Sequence, residues 1–453
     1  VSSYPHYASV QYPLPSGFGQ AATPDPLNIE RPYTLARFLA ECLLIWSVGA
    51  RVFGEQLGFY QIQGLVGVNT LVCTIVCLLL MMSARERIPT GIWFLVAINA
   101  SAALSNFIFH QVVPFFGGET AYRALFFPLL HLIMIYGVVQ NKGAYRRFLV
   151  FLTILLMTGT FLGGVVTAGR VHKERLRLEG FHGAITNPND LAYTAAFLSV
   201  ALLFWSLGSS RTLKPLIWLL TGATFIVLLR TLSRGALAAF TGSVFIFLIC
   251  VAGGRGLRLK GVVVIGLVVL SVAMGGHMIA QQVTDVQARM QVHSVRVDNF
   301  IHVWEDLPPT IISGYGPAIN TCVVSATKVM PHNTFFWLHL GYGGPTAWIA
   351  LVWLFVLLAR ARRMLFSEEV PFNLRMELVA VWLVAFVNCM MSNNGFFSFG
   401  AILPLALADK YLTPFSKKAI RARQTSKSVL RHGARRVYTL PQMEYGSLTT
   451  RGG

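Results

Sequence analysis

The sequence predicts an all-α membrane protein with about 12 transmembrane helices and a long outer loop before the tenth. Three observations carry this expectation. Hydrophobic residues make up 55% of the 453-residue chain and charged residues 12%, and mean hydropathy is +0.60, a balance no soluble domain of this length shows. The apolar residues gather into runs of about 20, the length that crosses a bilayer. The basic residues between the runs fall on alternate loops, which gives the whole chain one orientation.

Residues 1–33 are polar and proline-rich and lack the charged start and short apolar core of a cleavable signal. They read as a disordered cytoplasmic arm. Residues 34–412 form the membrane domain. Its first candidate spans are Leu35–Val52, Ile62–Met82, Thr90–Val113, Ala121–Val139, Phe148–Ala168 and Leu191–Leu207. The remainder are Pro215–Leu229, Gly235–Ala252, Val262–Ile279, Phe335–Leu358, Met376–Met391 and Phe397–Tyr411. Residues 413–453 read as a basic, disordered cytoplasmic tail.

Five loops set the orientation. Arg85 and Arg87, Lys142 with Arg146 and Arg147, Arg211 and Lys214, Arg255 with Arg258 and Lys260, and Arg360 with Arg362, Arg363 and Arg375 all fall on one side. The excess of Lys and Arg assigns that side, and both termini, to the cytoplasm. Two outer segments exceed what a connector needs, Gly169–Asp190 and residues 281–331. Loops of that length in a compact protein are usually functional. No internal repeat or inverted symmetry accompanies them, and no broken helix is expected.

The net charge of +19 does not point to nucleic acid. The charges are scattered among apolar runs, with no basic stripe interleaved with aromatics. Cys42, Cys73, Cys77, Cys250 and Cys389 lie inside apolar segments and only Cys322 falls in an aqueous loop, so a disulfide framework is not expected.

Against this orientation, Arg170, Lys173, Arg175, Arg177, Arg230, Arg234 and Arg296 lie on the outer side. Positive charge held where topology disfavours it calls for an anionic partner. Arg175-Leu-Arg177-Leu-Glu-Gly leads through His182 to Asn187-Pro188-Asn189-Asp190 and an apolar helix. Asn189 or Asp190 can cap that helix, whose positive end then faces outward. An anion placed there meets backbone N–H groups and the preceding arginines together. Arg230 and Arg234 are four apart and share a helix face if the helix continues. Pro331-His332-Asn333-Thr334 closes the long loop and opens the next helix. A histidine at a helix N-terminus is held neutral by the dipole, as a general base requires; the same segment also suits a plain polar cap. His302 and His339 lack such a setting.

The outer acidic residues Glu174, Glu179, Asp285, Asp298, Glu305 and Asp306 contain no Asp-x-Asp pair. Neither metal-ligand spacing nor a phosphate-binding loop is present in the sequence. Arginine then has to supply the positive charge.

The order of these elements resembles the O-antigen ligase and O-antigen polymerase superfamily of bacterial polytopic membrane glycosyltransferases. Arg175 or Arg177 onward with Asn187-Pro188-Asn189 resembles its first motif, and Ser233-Arg234-Gly235 the next. Arg296, Trp304 and Gly314-x-Gly316 resemble its long periplasmic loop, and Pro331-His332-Asn333 its terminal motif. The match covers residues 175–344. The resemblance implies a GT-C-like architecture in the bacterial inner membrane with a periplasmic active site. It implies transfer of a glycan from undecaprenyl diphosphate to an acceptor sugar such as lipid A core, without cofactor, metal or nucleotide. His332 is then the catalytic base. Arg175, Arg177, Arg230, Arg234, Arg296, Asn187, Asn189 and Asn333 are the substrate-binding residues. Membrane lipids are the remaining partners. A polymerase joining lipid-linked repeat units is the near alternative, and a transporter or flippase of an anionic glycolipid the distant one.

Overall fold

The computed structural model describes residues 35, 37–43, 71–72, 74–79, 88–110, 129, 132–137, 139, 142–167, 188–231, 233–252, 298–316, 324–328, 331–366, 370–392 and 399–412. Every regular element among them is a helix. In chain order they are α1 (Thr90–His110), α2 (Lys142–Thr167), α3 (Pro188–Gly208), α4 (Lys214–Thr231), α5 (Arg234–Ala252), α6 (Thr334–Tyr342), α7 (Gly344–Leu365), α8 (Phe372–Met391) and α9 (Phe399–Leu412). Five stretches are long and apolar enough to cross a membrane: Thr90–Phe109, Leu191–Gly208, Lys214–Thr231, Gly344–Leu365 and Phe372–Met391. The chain is a helical, membrane-type protein. The expected span Val262–Ile279 lies outside the described residues, as do most of the first two and much of Ala121–Val139.

Proline and glycine set several boundaries. Pro188 occupies the first position of α3 and Pro371 precedes α8, where a missing N–H costs no helical bond. One expected span is corrected. Phe335–Leu358 is not continuous: α6 ends at Tyr342, Gly343 takes φ 93°, and α7 begins at Gly344. A backbone angle of that sign suits glycine alone and stops the helical ladder. The membrane-length helix therefore starts later and runs further, to Leu365.

α3 is the centre of the bundle and packs against α4, α8, α9 and α5. Its residues 191–204 are buried without exception, so it is apolar all round, as a fully enclosed helix must be. Ala192, Ala195, Ala196 and Ala201 let neighbouring backbones approach, and Ser199 Oγ donates to Thr224 Oγ1 of α4 at 2.9 Å. Small residues and interhelical hydroxyl bonds are the usual adhesives of membrane bundles, where lipid supplies no hydrophobic drive.

Helix ends that the basic loops assign to one side also meet in space. Arg146 of α2 forms a two-pronged pair with Glu377 of α8, one prong at 2.6 Å. Arg360 of α7 donates to Asp409 Oδ1 of α9 at 3.0 Å and to Thr90 Oγ1 of α1 at 2.6 Å. Asp409 also accepts from Gly91 N at 2.7 Å and from the Tyr136 hydroxyl. Lys410 Nζ donates to the Tyr136 carbonyl at 2.7 Å. Glu377 and Asp409 are fully buried, so these carboxylates persist only because cations and donors surround them.

Candidate functional site

At the opposite end of the bundle, the described residues among those singled out in the sequence lie at helix termini. α3 begins at Pro188, so Asn189 and Asp190 lie inside its first turn. The expected capping role of Asn189 or Asp190 is corrected: the helix already runs from Pro188, so both lie inside it, and Asn187 is outside the described residues.

The expectation that Arg230 and Arg234 share a helix face is also corrected. α4 stops at Thr231, Ser233 is non-helical and buried, and a new helix opens at Arg234. The Ser233 carbonyl accepts the first bond of α5, from Leu237 N at 3.0 Å. Two arginines flanking a turn cannot stack one above the other as on a continuous helix. Arg230 is exposed in the last turn of α4, where its charge complements the negative end of the dipole. Arg234 opens α5, at the positive end.

α6 carries the third segment. Asn333 is its cap, with its side-chain oxygen accepting from Phe335 N at 2.9 Å and Phe336 N at 3.2 Å. The Asn333 amide also donates to the Met390 carbonyl at 3.3 Å, and Thr334 Oγ1 donates to the Ser392 carbonyl at 2.6 Å. Asn333 thus joins α6 to the end of α8, and its oxygen is engaged by the helix it caps. His332 sits one residue before the cap and is exposed, at the helix N-terminus its sequence position suggested.

These termini converge. Gly235, next to Arg234, is packed so closely under the Tyr193 hydroxyl of α3 that a Cβ would have no room, and that Cβ would lie 3.5 Å from Met391 Cβ of α8. The adjoining residues Met390 and Ser392 hold Asn333 and Thr334. The N-termini of α3, α5 and α6, each positive, therefore gather around the end of α8. Tyr193 was missed by the sequence analysis. Its signal was its place one turn after Asn189, on the helix that follows the first motif.

The described part of the long loop supports α6 from beneath. Residues 298–306 are helical and 307–313 turn. Gly314 (φ 66°) and Gly316 (φ 112°) let the chain fold back, so that Tyr315 N donates to the Leu340 carbonyl at 2.6 Å and Gly316 N to the Gly341 carbonyl at 3.2 Å. The Gly-Tyr-Gly segment thus satisfies carbonyls that the end of a helix leaves open. Asp306 accepts from Tyr315 Oη at 3.2 Å and Ser325 N at 2.7 Å. Burial, with Asp306 beside it, raises the Tyr315 phenol above its ordinary value. His339 Nε2 lies 3.0 Å from the Leu307 carbonyl, and His302 faces Glu305 at 3.2 Å. Trp304 is exposed and packs edge-on against Phe336.

Arg175, Arg177, Asn187 and Arg296 lie outside the described residues; of Arg234 and Asn189, the helix positions alone are described. Among the described residues, no three His, Cys, Asp or Glu side chains gather as a metal site would require. No protein-family model matches this chain, and no curated protein matches it.

Proposed function

We propose that this chain is a polyprenyl-diphosphate-dependent glycosyltransferase of the O-antigen ligase type, with its active site at the outer, periplasmic end of the bundle. The observation that carries this reading is the convergence of three helix N-termini, those opened by Pro188, by Arg234 and by the His332–Asn333 pair. Each brings partial positive charge to one place, which suits a diphosphate. The remaining expectations belong to the same reading: about 12 spans in a GT-C-like arrangement, residence in a bacterial inner membrane, and both termini in the cytoplasm.

In this mechanism the acceptor hydroxyl attacks the anomeric carbon of the lipid-linked sugar. The bond from that carbon to the phosphate oxygen breaks, and undecaprenyl diphosphate leaves with the bonding pair. His332 accepts the hydroxyl proton, and the displacement inverts the anomeric centre. Arg234, with Arg175 or Arg177, neutralises charge growing on the leaving group; Arg230 and Arg296 add to the field. Asn333 acts by holding α6, and with it His332, against α8. Purified Arg234→Ala and His332→Ala proteins that elute as folded species should each lose transfer by about 100-fold or more. Near-normal turnover in both overturns the assignment. In a deletion strain, bare core with accumulated lipid-linked polymer marks a ligase, and core capped with single repeats marks a polymerase.

One observation favours a second reading. The break at Gly343 makes α6 and α7 a discontinuous pair, a device that transporters use around their substrates. Purified protein supplied with both lipids and no energy source decides between them: new glycosidic product marks the enzyme, and movement across the bilayer without product marks a transporter.

A further inference from the structure

The outer segment 298–313 presents a largely exposed apolar face, touched among the described residues by Phe336. Phe300, Ile301, Trp304, Ile311 and Ile312 are each more than half exposed. Phe300, Trp304 and Phe336 form one aromatic cluster, with ring centroids 5.2 to 6.2 Å apart. On the helix 298–306, Asn299, Val303 and Asp306 face the protein and are buried. Phe300, Ile301 and Trp304 form a second stripe at helical spacing, and Asp298 and Glu305 lie together on the remaining, exposed side. Apolar and acidic stripes side by side, both uncovered, are the pattern of a helix lying in a membrane surface.

The depth of this segment follows from its anchors. Ser105 of α1 donates to the Ser313 carbonyl at 2.7 Å, and Gly344 N at the start of α7 donates to the Ile311 carbonyl at 2.9 Å. Ser105 lies five residues before the end of α1 at His110, about 7 Å inside that end at 1.5 Å per residue. At this level α1 exposes Leu104, Phe107, Ile108 and Phe109, each more than half uncovered, as the lipid-facing side of a span must. Ile311 and Ile312 thus extend the lipid-facing surface of α1 onto the loop. The backbone there is non-helical, which the hydrocarbon tolerates only when protein satisfies it. The Ile311 and Ser313 carbonyls meet that requirement through their bonds to α7 and α1, with the Ile311 and Ile312 side chains left exposed.

We propose that residues 298–313 are a membrane-inserted element, with Ile311 and Ile312 among the acyl chains, Phe300, Ile301 and Trp304 at the interface, and Asp298 and Glu305 toward water. Its occupant is the lipid of the outer leaflet. The long loop is therefore not a freely solvated loop along its whole length. This inference is independent of the reaction the site performs.

The test uses the full chain in phosphatidylethanolamine–phosphatidylglycerol vesicles free of polyprenyl lipid. The emission of Trp304 is taken as the difference between the parent chain and Trp304→Phe, which keeps the apolar surface. Lipids brominated high on the acyl chain should remove most of that emission, and aqueous iodide should leave it unchanged. Quenching by iodide overturns the proposal, and so does quenching by neither, which marks cover by a second copy. As a separate arm, Ile312→Cys should resist a membrane-impermeant maleimide until detergent is added, whereas Glu305→Cys should react at once, each measured above the parent chain. Equal reactivity at both positions overturns it.

Discussion

Removing the Asp409 carboxylate should be among the most damaging single changes to this fold. Asp409 is fully buried and accepts from Arg360 at 3.0 Å, Gly91 N at 2.7 Å and the Tyr136 hydroxyl. Asp409→Ala leaves the Arg360 guanidinium, itself 6% exposed, without its counter-charge, a loss of about 3–5 kcal/mol. It also strands the Gly91 and Tyr136 donors, at about 1–3 kcal/mol each when buried. These contributions overlap because Thr90 Oγ1 still accepts a hydrogen bond from Arg360, so a total of about 5 kcal/mol is expected. Asp409→Asn retains one carbonyl acceptor and should lose about half as much. The decisive variant is Arg360→Met with Asp409→Asn, which removes both charges and should be more stable than Asp409→Ala alone. Equilibrium unfolding by SDS in mixed micelles measures these differences, and the cycle yields the coupling. A change within about 0.5 kcal/mol of the parent for Asp409→Ala, or strict additivity in the cycle, refutes the reasoning.

Other expectations concern a helix cap, two glycines and a phenol. Asn333→Ala removes the cap of α6 and should cost about 0.5–2 kcal/mol, visible as faster hydrogen exchange at Phe335 and Phe336; Asn333→Asp should restore most of that protection. Gly343→Ala meets a positive φ and the Ile312 carbonyl at once, and should destabilise by more than about 1 kcal/mol. Gly222→Ala in α4, where a Cβ would meet nothing beyond its own helix within 4 Å, should be stabilising by about 0.5–1 kcal/mol; thermal unfolding in detergent compares the two. The raised Tyr315 phenol means the unfolded chain ionises first. Its contribution is therefore complete below about pH 10 and declines as pH rises toward the folded value. Tyr315→Phe should lose that alkaline dependence when stability is followed across the range.

The sequence made much of this molecule legible. The start of α1 at Thr90, the onset of the apolar part of α3 at Leu191 and the end of α8 at Met391 all coincide with the expected spans. Basic loops predicted which helix ends share a side, and Arg146–Glu377 and Arg360–Asp409 join such ends. The candidate site was legible as segments but not as an arrangement. That Arg230 lies at the end of one helix while Arg234 starts another depends on a break at Ser233, and the sequence places no glycine or proline before Arg234 to announce it. Gly343 sits within an apolar stretch, and a lone glycine there is compatible with an unbroken span. The position of Asn333 in its motif does not reveal that its side-chain oxygen accepts from Phe335 N and Phe336 N of its own helix.

Whether a segment enters a membrane depends on its own apolar length and on the charges beside it, since lipid is its main solvent. Sequence alone therefore determined that this is a helical, membrane-type protein and where many of its described helices begin and end. What the residues of those helices face depends on atoms far away in the chain, as Gly91 and Asp409 illustrate at a separation of 318 residues. Packing decided the break at Gly343, the turn between α4 and α5, the descent of residues 311–313 beside α1, and the meeting of three helix N-termini around Met390 and Met391. Those features arise where backbone groups must be satisfied by a neighbour rather than by water, and only the folded bundle supplies the neighbour.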